Sequence, residues 1–293
     1  YTTSCEYSTI TIDNSKINEH YSYGINIASD YDTLYVNNSD VSNNGDVGIY
    51  SSNTNKKVEI TNSTINNNDN YGIYFSGSYD PISISGSEVS GNNSHGIYTG
   101  GSYSPLTVEN SMIADNNSYG IGTGGSYSPI SIDRTLIAQN ASHGVYTGSS
   151  YSSINVSYST IVDNYERGVH SSSSYAYIDN SIIYHNRQYD GSLNIWANSG
   201  GNIDYSDIYH GWASGDFSTV GTITNQDPLF IDEDYHVSPS SPTVDAANPG
   251  HEDNFMPPGL GAIRADMGVY GGPGNDYWGG DSIPNGEPVI DNI

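Results

Sequence analysis

Leu106-Thr107-Val108-Glu109-Asn110-Ser111-Met112-Ile113-Ala114-Asp115-Asn116-Asn117-Ser118-Tyr119-Gly120-Ile121-Gly122-Thr123-Gly124-Gly125-Ser126-Tyr127-Ser128-Pro129 is one turn of a repeat. Leu106 to Glu109 alternates apolar and polar, which suits a half-buried strand. Asn110 makes a bend, and Ser111 to Ala114 is a second short strand. Asp115 to Tyr119 is a polar turn, and Gly120 allows a tight corner. Ile121 to Thr123 is a third strand, and Gly124 to Pro129 closes the coil.

The unit recurs every 24 residues. Gly24, Gly48, Gly72, Gly96, Gly120, Gly144 and Gly168 form one column. Ile12, Val36, Ile60, Ile84, Val108, Ile132 and Val156 form a second, and Ile17, Val41, Ile65, Val89, Ile113, Ile137 and Ile161 a third. A fixed period of this length is the signature of a solenoid. Three β-branched strands per coil predict an all-β, right-handed parallel β-helix of three sheets. Each coil is too thin to bury its own apolar side chains, so its neighbours must cover them. Leucine-rich repeats are excluded by scarce leucine, helical repeats by the missing 3.6 period, and hexapeptide helices by the absence of six-residue subperiods.

Identical positions become ladders under this reading. The Ser15 to Ser159 hydroxyls, the Asn14, Asn38, Asn62 and Asn110 bends (interrupted by Gly86 and Arg134) and the Asn44 to Asn164 column read as architecture. Asparagine tolerates left-handed bends, and its amide can bond along a stack. Residues 1–226 read as coils, regular to about 176 and looser after. Residues 227–272, rich in Pro, Gly and acids, read as an irregular C-terminal cap that hides the last open edge. Residues 273–293 read as a linker or tail.

Composition narrows the function. The chain has 293 residues, with 33 acids against 7 Lys plus Arg and a net charge of −26. Nucleic acid and anionic lipid are disfavoured, because both require clustered cations. Low hydrophobicity with high charge is also the mark of disorder, but 27 tyrosines and residues in strict register oppose that reading. Cys5 is the single cysteine, so an intrachain disulfide is impossible. No apolar run reaches membrane-spanning length. The start at a tyrosine and the end at Asp291-Asn292-Ile293 read as a fragment of a longer chain.

The stretch Asn110-Ser111-Met112-Ile113-Ala114-Asp115-Asn116-Asn117-Ser118-Tyr119-Gly120-Ile121 resembles the short repeat of the pectate-lyase-like superfamily of right-handed parallel β-helices. The likeness covers roughly residues 8–210. Asp227-Pro228-Leu229-Phe230, Ser238-Pro239 with Asp245, and Asp266-Met267-Gly268-Val269-Tyr270-Gly271-Gly272 are similar to the ending of many secreted bacterial β-helix proteins. That resemblance implies an extracellular or cell-surface location. Its members include polysaccharide lyases, hydrolases, epimerases and adhesins, so it fixes no reaction.

If the chain is an enzyme, the resemblance implies a Lys or Arg base with Ca²⁺ holding a uronate. Arg134 and Arg167 are the candidate bases; the ordinary reading of the cations, Lys56 and Lys57 included, is solvated surface charge. Asp133 lies beside Arg134, and Asp115 and Asp163 share a column two coils apart, a spacing open to glycoside hydrolysis. Glu109 and Asp133 are stacked like charges that would splay or hold a cation, Ca²⁺ above all. The paired aspartates, His and Arg-x-Lys of polygalacturonases are absent.

Tyrosine supports a binding reading instead. Tyr50, Tyr74, Tyr98, Tyr146 and His170 share an outward column whose gap at Gly122 has room for a sugar ring. Tyr79, Tyr103, Tyr127, Tyr151 and Tyr175 share another in the closing turn, read foremost as mutual packing. His95 and His143, in register with Tyr23, Tyr71 and Tyr119, read as interchangeable packing. Thr99, Thr123 and Thr147 form one short column conceivable as an ice-binding surface. The leading expectation is a secreted or surface solenoid that binds a polysaccharide or surface glycan, or acts as a scaffold. A Ca²⁺-dependent lyase or hydrolase is one alternative, and an end-to-end self-associating filament subunit the other.

Overall fold

In the computed structural model, residues 2–3, 7–186, 193–213, 215–253 and 260–273 are described. Cys5, Arg187 and the tail from 274 onward fall outside them. Every strand pairing in the solenoid is parallel and links one coil to the next, as Leu106–Glu109 does with Ile82–Ser85 below and Ile130–Asp133 above. Three stacks of strands result. Sheet A runs from Thr2–Thr3 through Ile121–Thr123 to Trp212–Ala213. Sheet B runs from Thr9–Asp13 through Leu106–Glu109 to Phe217–Val220, and sheet C through Met112–Ala114 to Ile223–Thr224. The two-residue slip after Asp163 appears in the register, where Asn155 pairs with Tyr177.

The interior is a column of Ile, Val and Leu from all three sheets, with one phenylalanine, Phe75, fully buried among them. Thr99, Thr123 and Thr147 also point inward and are fully buried, so no threonine ice-binding surface exists there. At the corner between sheets C and A the buried asparagines form one unbroken chain. Asn92 Nδ2 donates to Asn116 Oδ1 at 2.9 Å, Asn116 Nδ2 to Asn140 Oδ1 at 2.9 Å, and Asn140 Nδ2 to Asn164 Oδ1 at 2.8 Å. The glycine column is explained by space rather than by a tight left-handed corner. A Cβ on Gly96 would lie 2.7 Å from the Gly120 carbonyl oxygen and 2.8 Å from Asn116 Nδ2. Left-handed backbone belongs instead to the bend column, at Asn14, Asn38, Asn62, Gly86, Asn110 and Arg134. Lys56, expected in solvent, is only 1% exposed and packs near Asp80 and Asp32, both fully buried.

The irregular C-terminal segment lies along the flank of the solenoid. Tyr235 and Val269 pack on Ala114, Leu136, Ala138 and Val162 of sheet C, and Met267, Val237 and Ala265 pack on Tyr158 and Ile182. The segment runs back down the axis. Its Gly268 N–H donates to the Asn180 carbonyl at 2.8 Å and its Val269 N–H to Thr160 Oγ1 at 3.1 Å. Arg134 Nη1 reaches the Pro273 carbonyl, one coil further down, at 3.2 Å. The sheet beneath is built to receive it. The outward positions Asp40, Thr64 and Glu88 give way to Met112, Leu136 and Ile182 where the segment lies.

Candidate functional site

Sheet A carries the largest concentration of aromatic chemistry. In its three-residue strands the outer residues point in and the middle position faces out: Ile49 is fully buried while Tyr50 is half-buried. Tyr50, Tyr74, Tyr98, Gly122, Tyr146, His170 and Trp196 therefore line up along the outer face. The residues before each glycine interleave with them. Ring centroids lie 4.5 Å apart for Tyr23 and Tyr50, 4.7 Å for Tyr71 and Tyr74, 4.5 Å for His95 and Tyr119, and 4.7 Å for Tyr119 and Tyr146. Two columns thus merge into one ribbon, from Tyr23 to Trp196, about 34 Å long at the strand spacing of a β-sheet.

The opening expected at Gly122 is closed. A Cβ there would lie 2.9 Å from Tyr98 Cδ2 and 3.0 Å from Tyr119 Cδ2, so these rings already lie over the glycine. Gly122 is the footing on which Tyr98 rests, and it keeps the ribbon continuous.

Toward the C-terminal end the ribbon becomes polar. The Arg167 guanidinium lies 4.9 Å from the Trp196 ring centre, a cation–π stack. The Arg167 N–H donates to His143 Nδ1 at 3.1 Å, which leaves the ring proton on Nε2. That nitrogen faces Glu166 Oε2 at 3.0 Å and His170 Nδ1 at 2.9 Å, and Ser142 Oγ donates to the same Glu166 oxygen. His95 repeats the arrangement two coils earlier in the stack, accepting the Tyr119 N–H at 3.1 Å. Burial pushes the His95 pKa down to about 4, so it is a neutral stacking ring at ordinary pH. Burial also raises the phenols of Tyr98 and Tyr119 above their usual range.

Of the residues read as site candidates, Tyr50, Tyr74, Tyr98, Tyr146, His170 and Arg167 come together here. Arg134, Asp133, Glu109, Asp115 and Asp163 do not. Arg134 binds Asp133 at 2.6 Å and Asn110 at 3.0 Å at the bend between sheets B and C. Asp133 also accepts from Ser157 at 2.7 Å, so the Glu109–Asp133 column is met by Arg134 and serine rather than standing as a bare acidic pair. Among the described residues no three His, Cys, Asp or Glu side chains gather to hold a metal ion. Asp163 accepts from the Tyr235 hydroxyl at 3.0 Å, and that hydroxyl in turn accepts from Gln139 Nε2, between Asp115 and Asp163 in the column. The C-terminal segment therefore occupies the space that an acid–base pair would need for water and sugar. Burial, with Glu88 nearby, raises the Asp115 pKa.

Trp196 and Glu166 are contributors that sequence reasoning left out, while the column at 23, 71, 95, 119 and 143 was read as packing and not as part of the aromatic face.

A family model described as "Right handed beta helix region" matches residues 1–113 and 47–202. The chain belongs to this right-handed β-helix family. Among solved structures, the crystal structure of pectate lyase Pel9A is similar, with a TM-score of 0.55 and 15% identity over 84% of this chain and 72% of that one. This likeness concerns the fold, and with the family match it supports the resemblance to the pectate-lyase-like superfamily. No curated protein sequence matches the chain. Among the described residues no helix is long and apolar enough to cross a membrane.

Proposed function

We propose that this chain is an extracellular β-helix that binds a polysaccharide or surface glycan along the aromatic ribbon of sheet A. The observation that carries the reading is the continuity of the ribbon from Tyr23 to Trp196. Sugar rings offer apolar C–H faces to stack on aromatics and hydroxyls to pair with polar tips, and the ribbon provides both along its length. The contacts made by the described part of the C-terminal segment are with sheet C and the adjoining bend. The described part of the segment thus lies on a different face from the aromatic ribbon. A net charge of −26 favours neutral glycans over polyanions.

Binding is favoured over cleavage because both candidate bases are engaged, Arg134 with Asp133 and the C-terminal segment, and Arg167 on Trp196. A reducing-end release assay on neutral and acidic polysaccharides, with Ca²⁺ and with chelator, separates the two. No release, together with measurable glycan binding, is the expected result. Release that disappears in Arg134→Ala or Arg167→Ala would make the protein an enzyme.

A further inference from the structure

The turn between sheets A and B carries a buried ladder of its own. The Ser104 N–H donates to Ser128 Oγ at 3.0 Å, and the Ser128 N–H to Ser152 Oγ at 3.0 Å. Below Ser104 the same column changes character and runs Asp32, Lys56 and Asp80. All three residues are at most 1% exposed. Asp32 Oδ1 accepts the Ser8 N–H at 2.9 Å, Asp80 Oδ1 accepts the Lys56 N–H at 2.8 Å, and the Asp80 N–H donates to Ser104 Oγ at 3.1 Å. The acids therefore continue the serine ladder, whereas the lysine side chain has no acceptor to offer and breaks it.

Two polar atoms in this stretch are orphaned. Lys56 Nζ and Asp80 Oδ2 are both buried without a hydrogen-bond partner. A buried ion pair offsets its desolvation only when the charges are close and hydrogen-bonded, and these two are not bonded to each other. A lone buried ammonium costs far more than the serine that the later coils place in this column. Burial pushes the Lys56 amine below its usual pKa and the Asp80 carboxyl up to about 6. Both shifts favour the neutral amine and the neutral acid, the pair that can condense. The two residues lie on adjacent coils about 4.8 Å apart, within the span of lysine's four-carbon stem. An amide between them would remove both orphaned atoms at once. It would also staple two coils in a chain whose single cysteine rules out an intrachain disulfide.

We propose that Lys56 and Asp80 condense into an intramolecular isopeptide bond. Lys56 Nζ adds to Asp80 Cγ, one Cγ–O bond breaks, and one nitrogen proton leaves with that oxygen as water; nothing is oxidised or reduced. The bond is independent of glycan binding. Intact-mass spectrometry of the purified, folded chain reads it directly, because the loss of one water leaves the protein about 18 Da lighter than its sequence. The wild type is expected to show that deficit, and peptide mapping should recover a branched peptide joining Lys56 to Asp80. Lys56→Met, Asp80→Ser, and the double variant Lys56→Ser with Asp80→Ser should each have the full sequence mass. The double variant continues the serine column of the later coils and is expected to fold, with thermal melting as the control. A folded wild type at full sequence mass overturns the proposal. So does a deficit that persists in Lys56→Met or in Asp80→Ser, which places the lost water elsewhere in the chain. A branched peptide joining Lys56 to Asp32 overturns the assignment to Asp80.

Discussion

Asn116 shows how much a single side chain does in this fold. Its Oδ1 accepts from the Asn92 backbone N–H at 3.1 Å and from Asn92 Nδ2 at 2.9 Å, and its own Nδ2 donates to the Val89 and Ala114 carbonyls and to Asn140. Asn116→Ala would leave buried donors and carbonyls unpaired on both sides, at roughly 1–3 kcal/mol for each group left without a partner. Urea unfolding should show a loss of about 2–4 kcal/mol on that basis, whereas an exposed asparagine such as Asn117 should tolerate alanine. Gly96→Ala meets a different obstacle, the Gly120 carbonyl of the next coil, and should cost about 1–3 kcal/mol as an overpacking defect. The periodicity made both columns visible in the sequence. It did not reveal that the glycines answer a close approach between coils, since that depends on the next coil's carbonyl. Lys56 was misread for a related reason: its neighbours in sequence are polar, but its neighbours in the stack enclose it.

The C-terminal segment and the sheet C face beneath it form one element of packing. Reading the inward columns predicts the sheets; the outward columns predict where the segment lies, and their change from Asp40, Thr64 and Glu88 to Met112, Leu136 and Ile182 was legible but unused. The Tyr175 assignment failed through the slip of two residues. Ser174, not Tyr175, continues the Ser128 and Ser152 stack, so the tyrosine ladder ends at Tyr151. Where the segment begins, Asp207 is fully buried with neither carboxylate oxygen hydrogen-bonded. Burial, and secondarily Asp227, raises its pKa to about 7. Its folded pKa lies above the unfolded value, so its contribution to stability is complete below about pH 4 and is lost as pH rises through about 7. Asp207→Asn should therefore raise the melting temperature at pH 8 and change it little at pH 5. An equal shift at both pH values would mean that the charge is not the cause. Truncation after residue 226 should uncover Leu136, Val162 and Ile182 and increase binding of a hydrophobic dye such as ANS.

At the scale of the whole molecule, the three faces are chemically distinct. Sheet A is aromatic, sheet B presents small polar side chains such as Ser83, Thr107 and Ser131, and sheet C is polar early and covered late. The coils were legible, because seven of them repeat the same apolar columns; the C-terminal segment's place along the flank of sheet C, where a cap over the last edge was expected, was not read from the sequence. The binding face was half legible: the tyrosines of the strand column were visible, but the interleaved rings and the closure over Gly122 arise only when coils stack. The catalytic candidates were only partly separable by sequence: Asp133 beside Arg134 was visible, but the contacts of Arg134 with Pro273 and of Arg167 with Trp196 arise only when the chain folds. The central claim is that the sheet A ribbon is the glycan-binding face. Affinity electrophoresis through gels containing neutral polysaccharides tests it most directly, with wild type, Tyr98→Ala, Tyr146→Ala and Trp196→Ala compared on one gel. The account predicts retardation of the wild type by at least one glycan and weaker retardation of each variant, by about tenfold where a stacking ring is lost at roughly 1–1.5 kcal/mol. Retardation that is equal in all four proteins, or absent from the folded wild type with every glycan, would contradict it.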